Sequence, residues 1–181
     1  MDSLTLGKLS SMKSIRKYTT PKPQVSVGKA SSYPLKTNSV KGIMRIDIPK
    51  INVHAGVLKG VGNEQAQLAQ GPSLLEGSPT PNTKRTYPAI GLNVTIGAHR
   101  STFGAWFRYI NELKNGDDII LTQEGKVYTY KVVRTFIENA SGAISMDSLG
   151  YKAGSVTLYA CHPVGSANQR YFVVGELSNV K

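Results

Sequence analysis

The sequence predicts an all-β domain, a compact barrel or sandwich of about six to eight short strands joined by long loops. Short apolar runs rich in Val, Ile, Leu, Thr and Tyr recur along the chain, bounded by Gly, Pro and Asn. Helical spacing is brief wherever it occurs, and no segment repeats another.

The ordered texture begins at Gly42. Ile43 to Ile48 alternates apolar and polar residues and stops at Pro49, which reads as a strand, and Ile51 to Leu58 reads as a second. Asn63 to Gln70 suits a short helix with Asn63 as N-cap and Gly71-Pro72 as its stop. A loop holding Pro79, Pro81 and Pro88 leads to a strand from Asn93 to Ala98, which ends at His99-Arg100. Phe103, Phe107, Ile110 and Leu113 have the spacing of a short helix or turn. Asp118 to Gln123 and Lys126 to Ile137 are strands whose Glu124-Gly125 connection signals a hairpin. Residues 139–154 read as loop with one helical turn. Val156 to Cys161 and Arg170 to Leu177 are the last two strands. Being apolar on both faces, they are expected at the centre of the sheet.

Charge divides the chain differently. Residues 1–41 hold eight Lys and Arg against one acid, Asp2, while residues 42–181 hold fourteen against ten. The first segment is rich in Ser, Thr, Lys and Pro and lacks periodicity, so 1–41 reads as a flexible basic tail and 42–181 as the domain. Such a tail is either a solvated spacer or a segment that lies on an anionic membrane or wall polymer. With only Tyr18 and Tyr33 interleaved, nucleic acid is not an expected partner. No run of 18 apolar residues occurs, so the chain as it stands reads as soluble.

Cys161 is the only cysteine, which excludes an intramolecular disulfide. A strand delivers its thiol to a C-terminal tip, a polar loop follows, and Arg170 opens the next strand. A thiol beside a guanidinium suits nucleophilic attack on a carbonyl. The thiol also needs a base or acid partner. His54 lies within an early strand beside no other catalytic residue type and reads as structural. His162 adjoins Cys161 and so points to the opposite face of an extended chain. His99, at a strand tip followed by Arg100, Ser101 and Thr102, sits in a setting like that of Cys161. Glu64, Glu76, Glu112, Asp117 and Asp118 lack calcium-loop spacing, and neither metal nor cofactor is expected.

These residues together resemble the sortases, cysteine transpeptidases of bacterial surfaces. The histidine motif reads Val94-Thr-Ile-Gly-Ala-His99-Arg100, the cysteine motif Thr157-Leu-Tyr-Ala-Cys161, and the arginine motif Asn168-Gln-Arg170-Tyr-Phe-Val-Val. Ile46-Asp-Ile-Pro-Lys-Ile51 looks like the family's first strand, and the resemblance spans about residues 42–177. Ala160 stands where the family usually has threonine before the cysteine, and Ala98 where it usually has glycine before the histidine. The resemblance implies a closed barrel of about eight strands with His99, Cys161 and Arg170 as catalytic residues. It further implies cleavage of a Leu-Pro-X-Thr-Gly-type sorting signal between Thr and Gly through a thioester on Cys161. The acyl group would pass to an amine acceptor such as a peptidoglycan precursor or a pilin lysine. His99 would protonate the departing amine and Arg170 would hold the oxyanion. The implied place is the outer face of the bacterial membrane, held by an anchor absent from this chain.

Pilin-assembling members often carry Asp-Pro-aromatic in a lid, and no Asp-Pro occurs here. A wall-anchoring member is therefore implied, near the class with Cys-His-Pro after the strand (class E). Candidates for substrate contact are Ala160, His162, Trp106 and Arg100. The plainer readings are core packing for Trp106, loop capping or a carboxylate partner for Arg100, and a supporting role for His162. Tyr33-Pro-Leu-Lys-Thr-Asn38 loosely echoes a sorting signal with Pro and Leu exchanged, which suggests a pseudosubstrate in the groove. Three other readings stand beside the transpeptidase: a non-catalytic binder of wall polymer or lipid, a cysteine transpeptidase acting on peptidoglycan stem peptides, and a redox sensor resolved by a partner's cysteine.

Overall fold

The computed structural model describes residues 31–60, 64–84, 92–140 and 154–181. The expected N-cap Asn63, most of the loop over 139–154 and the tail before residue 31 lie outside them. The strands are β1 (Lys36–Thr37), β2 (Met44–Ile48), β3 (Val53–Val57), β4 (Ser73–Leu74), β5 (Asn93–Gly97), β6 (Asp118–Gln123), β7 (Lys126–Asn139), β8 (Ser155–His162) and β9 (Gln169–Val180). They form one sheet in the order β1-β3-β2-β6-β7-β9-β8-β5-β4. The helical content of the described residues is slight: α1 (Glu64–Leu68) and single 3-10 turns at Pro49–Ile51 and Ile110–Glu112.

Alternation accounts for the first strands. Met44, Ile46 and Ile48 of β2 and Val53, Ala55 and Val57 of β3 are buried, while Arg45, Asp47 and His54 face away. Asp47 pairs with His54 across the ladder, and its Oδ1 lies 2.8 Å from His54 Nδ1. His54 is thus engaged within the β2–β3 ladder. The second strand begins later than its apolar run because Pro49–Ile51 is one 3-10 turn, closed by Asn52 in the left-handed region. The β6–β7 hairpin turns on Glu124 (φ 49°) and Gly125 (φ 79°), the two positive φ angles that match a two-residue loop to strand twist.

The sheet curls until β4 returns to β3. Leu58 N–H donates to Pro72 O and Leu74 N–H to Leu58 O, both at 2.9 Å, so a parallel bridge between Leu58 and Ser73 closes a ring of eight strands, β2 to β9. The other half of that β3 edge is filled by residues assigned on sequence to the tail. Lys36 and Thr37 pair in parallel with Val53 and His54. The Asn38 amide then takes the place of a strand, its Oδ1 accepting from Gly56 N–H at 2.7 Å and its Nδ2 donating to Gly56 O at 3.4 Å. Residues 31–41 therefore belong to the folded body. Their composition reads as a linker because backbone pairing makes much of the attachment and the side chains of Ser31, Tyr33, Lys36 and Asn38 add single contacts.

Residues 33–38 also touch the loop that follows His99. Tyr33 and Tyr109 rings lie 4.7 Å apart, and Lys36 Nζ donates to Gly104 O at 2.7 Å.

The barrel interior holds Ile46, Ile48, Ile96, Phe107, Leu158 and Val173 among other fully buried side chains. Phe107 also anchors the site, since its N–H donates to His99 O at 3.1 Å. Replacing Phe107 with Ala is expected to cost about 3–5 kcal/mol in urea unfolding. A cost below about 1 kcal/mol would contradict the packing described.

Candidate active site

Strand pairing assembles the site. β5 runs parallel to β8 with Gly97 opposite Tyr159, and Ala98 N–H continues the ladder to Tyr159 O at 3.2 Å. Carrying that register two residues further sets His99 beside Cys161. β9 is antiparallel to β8, with Arg170 directly opposite Cys161. Directly opposed residues on neighbouring strands share a face, with Cβ atoms about 4.5–5.5 Å apart. His99, Cys161 and Arg170 all line one cavity of about 280 Å³. The same cavity is bounded by Leu68, Tyr159, Ser101 and Thr102, and by Ser166 of the β8–β9 loop.

The wall between β5 and β8 has two faces. Val94, Ile96 and Ala98 of one segment and Val156, Leu158 and Ala160 of the other point into the core. Gly97, His99, Tyr159 and Cys161 alternate with them and take the opposite face. Gly97 permits that face to be flat: a Cβ there would lie 2.4 Å from Tyr159 Cζ. Cys161 is a free thiol, half-buried. Arg170 Nη1 donates to Ala167 O at 2.9 Å and to Gln169 O at 3.1 Å, so its guanidinium is held against its own loop. The His99 ring packs against Phe103, centroids 5.2 Å apart. Phe103 is 61 % exposed and opens a left-handed run with Gly104 and Ala105, at φ 45°, 82° and 44°.

Of the four candidates for substrate contact, Ala160 and Arg100 border the cavity, and Trp106 and His162 do not. Ala160 is 2 % exposed and its methyl belongs to the core, although the residue borders the cavity. Trp106 is 8 % exposed, also in the core, and does not line the cavity. Arg100, although it borders the cavity, spends its guanidinium on neighbours that include His162, with Arg100 Nη1 2.8 Å from His162 Nδ1. Segment 33–38 lines no part of the cavity, so the pseudosubstrate placement is not what the structure shows. Among the described residues, no three His, Cys, Asp or Glu side chains converge as a metal site, and no helix is long and apolar enough to cross a membrane.

Comparison with known proteins identifies the family. The sortase domain family model matches residues 46–178. The chain is 35% identical over 92 residues to Sortase SrtE2 of Streptomyces coelicolor, covering 47% of this chain and 36% of that protein. It is 28% identical over 149 residues to Sortase D of Bacillus subtilis, covering 81% and 68%. The chain thus spans well under half the length of SrtE2, and 40% of that of Sortase SrtE1 from the same Streptomyces. Among solved structures, Sortase C-3 of Streptococcus pneumoniae superposes with a TM-score of 0.67 at 23% identity, covering 79% of this chain and 66% of that one. Sortase E1 of Streptomyces coelicolor, solved with a tripeptide in its active site, gives 0.62 at 22% identity, covering 78% and 90%. These two likenesses concern the fold, and the matched span of the family model runs from within β2 to within β9 and includes all three strand-tip residues. The chain belongs to the sortase family.

Proposed function

We propose that the chain is a cysteine transpeptidase that cuts a Leu-Pro-X-Thr-Gly-type sorting signal between Thr and Gly and joins the new carboxyl end to an amine. The observation that carries this reading is the convergence of a thiol, an imidazole and a guanidinium on one face around one cavity. Cys161 Sγ attacks the Thr carbonyl carbon, forming a C–S bond and an oxyanion. Arg170 stabilises that oxyanion with a permanent charge and planar donors. The C–N bond to glycine then breaks as imidazolium at His99 delivers its proton to the departing amine, leaving a thioester. An acceptor amine attacks the thioester, His99 removes the amine proton, and the thiol is released with a new amide formed. Neither metal nor organic cofactor enters these steps.

For Arg170 to meet the oxyanion, its guanidinium must share or exchange its bonds to Ala167 and Gln169. Substrates are surface proteins bearing the signal, and the acceptor is a peptidoglycan precursor or a pilin lysine. The reaction belongs on the extracytoplasmic face of a bacterial membrane. The Cys161-His162-Pro163 sequence at the end of β8 favours the wall-anchoring, class E-like role.

Intact-mass measurement of the protein with a library of such peptides tests the reading. The expected product is an adduct of the peptide mass less its glycine end, discharged by an added amine. No adduct across the library, with Cys161 still alkylated freely, would overturn it in favour of another acyl donor or a binding role.

A further inference from the structure

The margin of the cavity carries a buried cation that the acyl-transfer steps do not use. Arg100 directly follows His99 and borders the same cavity, yet it is 4 % exposed and its guanidinium is taken up by neighbouring groups. Its Nη2 donates to Asn111 Oδ1 at 2.6 Å, and its Nε to Arg108 O at 3.5 Å. Nη1 donates to Cys161 O at 3.4 Å and stands 2.8 Å from His162 Nδ1. Guanidinium only donates, so His162 Nδ1 is the acceptor and the ring keeps its hydrogen on Nε2. The guanidinium carbon also lies 5.6 Å from the centre of the Tyr171 ring.

Burying an arginine without a carboxylate is costly, and among the described residues none of these bonds goes to one. Burial pushes the guanidinium below its ordinary value, and Arg108 adds to the fall. Tyr171, Cys161 and Glu112 oppose it. All of the bonds to Arg100 reach segments that carry the site: the loop after His99 through residues 108 and 111, and the tip of β8 through residues 161 and 162. One side chain therefore ties the strand end that bears the imidazole to the strand end that bears the thiol.

We propose that Arg100 is a positioning residue, a brace at the cavity margin that holds His99 and Cys161 at their working separation. Its catalytic readout rests on the acyl-transfer reading above, whereas its effect on the thiol does not. A fixed cation beside the Cys161 carbonyl attracts negative charge on Sγ, and a fixed β8 tip keeps Sγ facing the imidazole. Losing the brace therefore weakens both the reactivity of the free thiol and the alignment needed for turnover.

The test compares wild type with Arg100→Lys, Arg100→Met and Asn111→Ala by thermal melting, iodoacetamide alkylation of Cys161 at pH 7, and kcat and KM on a peptide that the wild type acylates. Arg100→Met is expected to melt cooperatively, to alkylate about fivefold or more slowly, and to lose about 30-fold or more in kcat with KM within about threefold. Arg100→Lys should recover most of the alkylation rate, because it restores the charge, but remain about tenfold down in kcat, because it cannot fork to Asn111 and β8 together. Asn111→Ala should fall between wild type and Arg100→Met in kcat. Alkylation and kcat both within about twofold of wild type in Arg100→Met, beside a lowered melting temperature, would make Arg100 a stability residue and overturn the proposal. If Arg100→Met does not fold, wild-type kcat in both Arg100→Lys and Asn111→Ala overturns it equally. If the wild type acylates no peptide, the acyl-transfer reading fails while the alkylation arm still decides the brace.

Discussion

Cys161→Ala is expected to abolish the covalent adduct and to reduce peptide turnover about 10³-fold or more, the scale seen when an enzyme loses its nucleophile. The methyl group of alanine offers no lone pair, and no other cysteine exists to replace the thiol. The change falls on a half-buried residue at a strand tip, so the fold should lose no more than about 1 kcal/mol. Chemistry and stability are thereby separated in one variant. Intact mass and a urea melt are the two measurements. Turnover above about a tenth of wild type, or an adduct that survives the substitution, would move the nucleophile elsewhere.

His99→Ala comes second, with an expected loss of about 10²–10⁴-fold in kcat, the usual contribution of a positioned acid or base. The reaction needs a deprotonated thiol and a protonated imidazole in the same molecule. The reaction therefore depends on placing the two groups, and the wild-type rate should pass through a maximum with pH. In His99→Ala the alkaline fall should disappear, because no imidazolium remains to be deprotonated. The vacated space lies on the cavity, so added imidazole should restore part of the rate. A wild-type rate that climbs through pH 10 without a maximum would remove His99 as the acid.

Much of this was legible in the chain, for reasons that differ by element. The β6–β7 hairpin was readable because Glu124-Gly125 is local chemistry: two residues that accept positive φ between two alternating runs. β8 and β9 were readable because strands buried on both faces cannot alternate, and their central place in the sheet order follows. The grouping of His99, Cys161 and Arg170 was readable from their strand-tip settings together with the motifs that resemble the sortases.

Two-residue strands were not readable. Lys36–Thr37 and Ser73–Leu74 are too short for any periodicity, and what fixes them is the edge of β3 that they complete. Nor could the local sequence give Arg100 its partners, since Cys161 and His162 lie 61 and 62 residues away. Ala160 could have been placed better. On a strand that turns Cys161 toward the cavity, the preceding residue must face the core, and a methyl fits there.

The two-faced wall of β5 and β8 makes the site sensitive to length in a way that point substitution does not expose. Because side chains alternate with a period of two, deleting or inserting one residue within Asn93–Gly97 would turn His99 inward and Arg100 outward. The resulting chain could still bury Val and Ile on one side and would keep its composition, yet its imidazole would sit where a brace belongs. Gaps and insertions in descendants of this sequence should therefore collect in the segments after His99 and after His162, whose lengths the ladder does not meter, while the two strands keep theirs.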